Sequence, residues 1–181
     1  MGTPRRPSIL DGVGDPARVD DPERDAAFRG RRAVAPLDDF ELEGAFGSAE
    51  ALAEAVVDRA LWDDPAALHS LRITREEFDT LFWPEFPQSR PAAGNRSGDA
   101  WGFHDAACRD GVTAILSEWG GRELHFTKLR FEVGFAPYTN FNLYRGAVIE
   151  AVTDRGDPVE IRAALVFAER HGRWKVYMYD T

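Results

Sequence analysis

Between Ser48 and Trp119 the apolar positions recur at helical spacing, and from Glu123 onward they recur at every second position. Ser48 is a helix cap, followed by Leu52, Val56, Arg59 and Ala60 in a helix that runs to about residue 62. Asp63, Asp64 and Pro65 interrupt it, and Pro65 opens a short helical turn through Leu71. Thr74 and Glu77 form a capping box ahead of Phe78, Leu81 and Phe82, and Pro84 ends that helix. Residues 85–98, punctuated by Pro87, Pro91, Gly94 and Gly98, read as a loop. A third helix follows Asp99. Along it Trp101, His104, Cys108, Val112, Ile115 and Trp119 draw one stripe, and Gly120-Gly121 supplies the stop.

In the second half, Leu124 and Phe126 alternate with His125 and Thr127, then Leu129, Phe131 and Val133 alternate with Arg130 and Glu132. The change of phase at Lys128 predicts a bulge. Residues 141–152, 159–169 and 173–180 read as three more strands, joined by turns at residues 154–157 and at His171-Gly172. Helices followed by a four-stranded antiparallel meander make an α+β fold. The closing strands are apolar on both faces. Ile161, Ala163, Leu165, Phe167, Trp174, Val176 and Met178 share one parity, while Ala164, Val166, Tyr177 and Tyr179 fall on the other. A sheet with one wet face alternates more cleanly, so the second face needs a cover. A second subunit, as a twofold homodimer, or the N-terminal arm can supply it.

Residues 1–39 carry Pro4, Pro7, Pro16, Pro22 and Pro36, charges of alternating sign, and Phe28 as their only aromatic. Such a stretch cannot bury enough apolar surface to offset the entropy of ordering it. It is expected to be a mobile tail or an arm laid over its own domain or a partner, with residues 40–181 as a single folded domain. The 31 Asp and Glu against 22 Lys and Arg leave a net charge of -9, which argues against nucleic acid or an anionic membrane as partner. No apolar run follows Arg5-Arg6, so no secretory signal is expected, and no window is long and apolar enough for a membrane helix. Cys108 is the only cysteine, which excludes an intramolecular disulfide and fits a reducing, cytoplasmic setting. Without a phosphate-cradling glycine loop or metal-ligand spacing among the four histidines, no cofactor and no metal are expected.

Three N-terminal helices, a break, and strands ending in the Gly-Arg-Trp-Lys-Val-Tyr run of residues 172–177 resemble the nuclear transport factor 2-like, or cystatin-like, superfamily. That group holds ketosteroid isomerases, scytalone dehydratase, polyketide cyclases and many non-catalytic binding modules. The resemblance covers roughly residues 45–181 and implies a cone, in which helices close one side of a strongly curved sheet around an apolar pocket. The residues expected to line it are Trp101, His104, Cys108, Arg130, Arg145 and Tyr177. Two features depart from the family pattern. No strand pair separates the second and third helices, and all four tyrosines lie in the C-terminal half, so the isomerases' helical tyrosine has no counterpart.

His104 is the candidate general base, provided a carboxylate orients it; as a core-edge residue it would instead bond to backbone or water. Asp105 is its neighbour in sequence but faces elsewhere on a helix, whereas Glu132, Glu150 and Glu160 stand on strands that can point into a cone. Glu132 is the candidate partner. Arg130 and Arg145 sit among apolar strand positions, and a buried guanidinium needs a carboxylate or an anionic ligand. Arg145 with Asn140 and Asn142 can fix a ligand carboxylate, or it can pair across strands with Glu160. Trp83-Pro84-Glu85-Phe86-Pro87 either rims the pocket mouth or anchors its loop as a small apolar cluster. Three functions follow: a pocket for an apolar small molecule without catalysis, an acid–base isomerase, dehydratase or cyclase using His104 and Glu132, or an assembly module using the outer sheet face.

Overall fold

The computed structural model describes residues 30–180. Helix α1, Ala49–Leu61, starts where Ser48 accepts a hydrogen bond from the Ala51 amide at 3.0 Å. Asp64 caps α2, Pro65–His69, in the same way. The Thr74–Glu77 capping box forms, but only one α-turn follows it, α3 at Arg75–Glu77. The chain then widens into a π-turn at Phe78–Phe82 and tightens into 3₁₀ turns at Trp83–Glu85, Pro87–Ser89 and Pro91–Ala93. Pro84 explains the change, because it has no amide to continue a regular ladder. Helix α4, Ser97–Trp119, begins two residues earlier than its sequence signal.

Five antiparallel strands follow: β1 Leu124–Pro137, β2 Asn142–Thr153, β3 Pro158–Ile161, β4 Val166–Arg170 and β5 Arg173–Met178. The expected bulge appears as a register shift between Phe126 and Lys128, and a second shift lies between Phe131 and Gly134. The one strand expected over residues 159–169 is two. Gly146 bends β2 in the left-handed region at φ 67°, so the two halves of β2 pair with different segments. Its C-terminal half pairs with β3 and its N-terminal half with β4, while the intervening backbone bonds Leu165 to Ala147 and Ala163 to Asp180. His171 and Gly172, at φ 50° and 75°, make the two-residue turn between β4 and β5. The outer edge of β5 is closed by backbone bridges to Phe46, Leu71 and Ile73.

Alternate residues of β4 and β5 feed two apolar clusters on opposite faces of the sheet. Phe167 and Val176 join the main core with Leu52 and Val56 of α1 and Cys108, Val112 and Ile115 of α4. Gly111 lets α4 approach so closely that a Cβ there would meet the Tyr179–Asp180 backbone at 2.6 Å. On the other face Ala168 and Tyr177 pack with Phe78, Leu81, Phe82 and Leu42. The cover expected for this face therefore comes from the chain itself, through the π-turn region and residues 37–42. Of the arm expected over residues 1–39, residues 30–39 lie on the domain, and residues 1–29 fall outside the described part.

Buried charge fastens this cover. Glu85, fully buried, accepts from the Thr139 and Asn140 amides at 2.6 and 2.8 Å. The Asn140 side chain accepts from the Leu37 amide at 2.7 Å and donates to the Ala35 carbonyl. Arg170 donates to the carbonyls of Phe40, Leu37 and Asn140. Nearby, Lys175 donates to both oxygens of Glu77 at 3.0 and 2.9 Å, and Glu77 also accepts from the Glu43 amide. Charge this deep is tolerated because its lone pairs and protons are met. Glu85→Gln would set an NH₂ group against one of the two amide donors. We expect it to lower the unfolding free energy in urea by about 2 kcal/mol, whereas Glu54→Gln on the exposed face of α1 leaves it unchanged.

Candidate functional site

A cavity of about 790 Å³ opens to solvent between the N-terminal half of α4, residues 78–88, and the sheet face that carries Tyr177. Its floor is set by register: Arg145 lies opposite Val166, and Leu143 opposite Ala168, so these β2 and β4 residues share a face. Tyr177 joins them through the shift beside Val166. Phe78, Trp83, Phe86 and Pro87 form one wall, and the exposed Phe103, with Ala100 and Ala107, forms the other. The Phe86 ring stands edge-on to Tyr138 and Tyr177 at 5.6 and 6.1 Å. The Trp-Pro-Glu-Phe-Pro segment thus has both roles open to it from sequence: Trp83, Phe86 and Pro87 rim the cavity, and the same rings anchor the second apolar cluster.

His104, only 5% exposed, reaches the cavity from α4. Its ring lies 4.8 Å from Tyr177, 5.2 Å from Trp101 and 5.5 Å from Phe78. Burial, reinforced by the positive charge of Arg72, lowers its pKa to about 4. Nε2 faces the Cys108 sulfur at 3.8 Å, and the buried Nδ1 has no hydrogen-bond partner among the described residues. Asp105 is held by Arg72 and, at 3.2 Å, by Arg109; the Arg72 hydrogen bond keeps its carboxyl below the usual range. Neutral His104 is therefore a hydrogen-bonding group without an attached carboxylate. Burial also pushes the Tyr177 phenol well above its ordinary value, and its hydroxyl makes no hydrogen bond among the described residues.

The structure brings together three of the residues proposed from sequence: His104, Arg145 and Tyr177 line the cavity. The others go elsewhere. Trp101 lines a smaller cleft of about 340 Å³, with the Arg72 and Arg75 guanidinium groups over its ring at 5.3 and 5.9 Å. Cys108 is fully buried in the main core, where desolvation raises its thiol. Glu132, 42% exposed, lies in the β1 irregularity opposite the Gly146 bend, in a charge network. Arg162 and Arg130 hold its carboxyl down at about 2. Arg130 also bonds Glu150 and Glu160, at 2.9 and 2.6 Å, so its partners are protein carboxylates rather than a ligand. Asn140 is taken up by the buried web and Asn142 bonds Glu169, which leaves Arg145 without the two amides expected beside it.

Sequence reasoning missed the roles of Glu85, Arg170 and Lys175, and of Glu77 beyond its capping box. One signal was readable: Glu85 and Lys175 each stand between aromatic or apolar neighbours, where only a paired charge survives. Phe103 gave none, since it lies off the helical stripe. No family model, no curated protein and no solved structure matches the chain.

Because the folded pKa of His104 is depressed, its contribution to stability is complete above the unfolded value near 6.5. It is lost as pH falls toward 4. From about pH 7 to about pH 4.5 the unfolding free energy should drop by about 2 kcal/mol more in the native chain than in His104→Phe, measured by urea titration.

Proposed function

We infer that the chain is a small-molecule-binding protein of the nuclear transport factor 2-like kind, with the cavity under α4 as its site. The carrying observation is the cavity itself. Its volume lies in the range of ligand sites, its walls are mainly apolar, and the buried Nδ1 of His104 at its side has no protein partner among the described residues. The order of helices, then a bent antiparallel sheet, and the Gly172–Tyr177 run support the family reading. Binding without catalysis is preferred over acid–base chemistry, because Asp105 and Glu132 are both committed to arginines and neither reaches His104. A reducing cytoplasm goes with the single buried thiol. Among the described residues no helix is long and apolar enough to cross a membrane.

A twofold homodimer is the second part of this reading. Among the described residues strand β1 has pairing on one side only, and it exposes Val133 and Phe135, 72% and 56% accessible. Phe135 continues a row of rings through Tyr144 to Phe131 and Trp174, each step about 5 Å, that remains half-covered.

Nile red, a neutral apolar dye, tests the pocket. We expect uptake at one dye per chain, abolished by Ala107→Trp, which fills the cavity from α4 while thermal unfolding stays cooperative. Uptake that survives Ala107→Trp overturns the assignment. The same samples, examined by native mass spectrometry, should run as a pair of chains; a monomer at micromolar concentration removes the dimer.

A further inference from the structure

We propose that the ligand carries one carboxylate on an apolar, ring-sized body, and that Arg145 receives the carboxylate. The inference rests on the cavity being a binding site. Among the described residues four charged side chains line the cavity: Arg96, Asp99, Arg145 and Asp180. Arg96 and Asp99 stand three residues apart at the start of α4 and offset each other in charge. Asp180 is already engaged by another group. Arg145 makes no ion pair or hydrogen bond through its side chain among the described residues, and it stands out for that within its own sheet. Arg130 and Arg162 each meet carboxylates, Arg170 meets three carbonyls, and Arg173 meets the Ala45 carbonyl.

The floor around it is equally unfinished. Tyr177 lines the same cavity, and its hydroxyl has no hydrogen-bond partner among the described residues. A planar guanidinium and a phenol lining one cavity match a carboxylate, which can accept two bonds from the fork and one from the hydroxyl. Trp83, Phe86 and Phe103 also line the cavity and offer aromatic surface to the rest of the molecule. Neutral His104, with its unpartnered Nδ1, adds a hydrogen-bonding position without adding charge. Arg145 is exposed to solvent, and an apolar ligand seated over it would strip that hydration without a replacement bond, which costs affinity.

Naphthalene-2-carboxylate and naphthalene-2-methanol are matched probes, alike in body and different in charge. Titrated by calorimetry and followed by the side-chain resonances of His104 and Tyr177, the carboxylate should bind the native chain at least about tenfold more tightly than the alcohol. In Arg145→Gln the two should converge, with the alcohol unchanged; Arg145→Lys should restore part of the preference. Tyr177→Phe should weaken the carboxylate selectively. Equal binding of both probes, displaced by Ala107→Trp, overturns the carboxylate inference and leaves the pocket standing. Failure of both probes to move His104 and Tyr177 overturns the pocket reading and the inference with it.

Discussion

The structure depends on a buried carboxylate. Glu85 sits at zero exposure in a segment with no regular helix to hold it, and two amides of the turn between β1 and β2 close on its oxygens. That contact fixes the 3₁₀ turns against the sheet. Through Asn140 and Arg170 the same web fixes residues 35–40. Apolar burial alone is indifferent to small shifts, whereas paired lone pairs and protons are not. The cover over the Tyr177 face is therefore set at one position, and the cavity is the space left between that cover and α4.

Local rules were readable along the chain. The Ser48 and Asp64 caps, the Thr74–Glu77 box, the α4 stripe, the bulge at Lys128 and the His171-Gly172 turn are each specified by residues within a few positions of one another. The excess of apolar side chains on the last strands correctly demanded a second layer. What covered it was not legible, because Leu42, Phe82 and Phe141 meet across separations that no periodicity encodes. The division of the strand expected over residues 159–169 was hidden for a similar reason: its cause is Gly146, on a different strand.

The candidate site shows the same limit. His104, Arg145 and Tyr177 were identifiable as polar groups in apolar settings, and all three reach the cavity. Glu132 and Arg130 satisfied that description equally well, yet they lie at and past the bend and satisfy one another. Distinguishing the two groups needs the partner strand, since alternation gives the face of a residue but not the stretch of sheet above it. His104 also shows that an imidazole near a cavity need not be poised for proton transfer. Enclosed by three rings and influenced by Arg72, it stays neutral across the physiological range.

The bridges from Phe46, Leu71 and Ile73 to β5 have a consequence for how copies of this chain can add to one another. Open-ended fibrils need a free strand at both margins of each unit, so that every addition exposes a fresh template. Here one margin is sealed by the chain's own backbone, and β3, the other short stretch with a free side, is four residues long and begins with proline. Among the described residues only β1 offers a long template. Growth by strand addition through β1 ends once two copies have met, which gives an acidic chain with exposed aromatic rings a geometric guard against polymerisation.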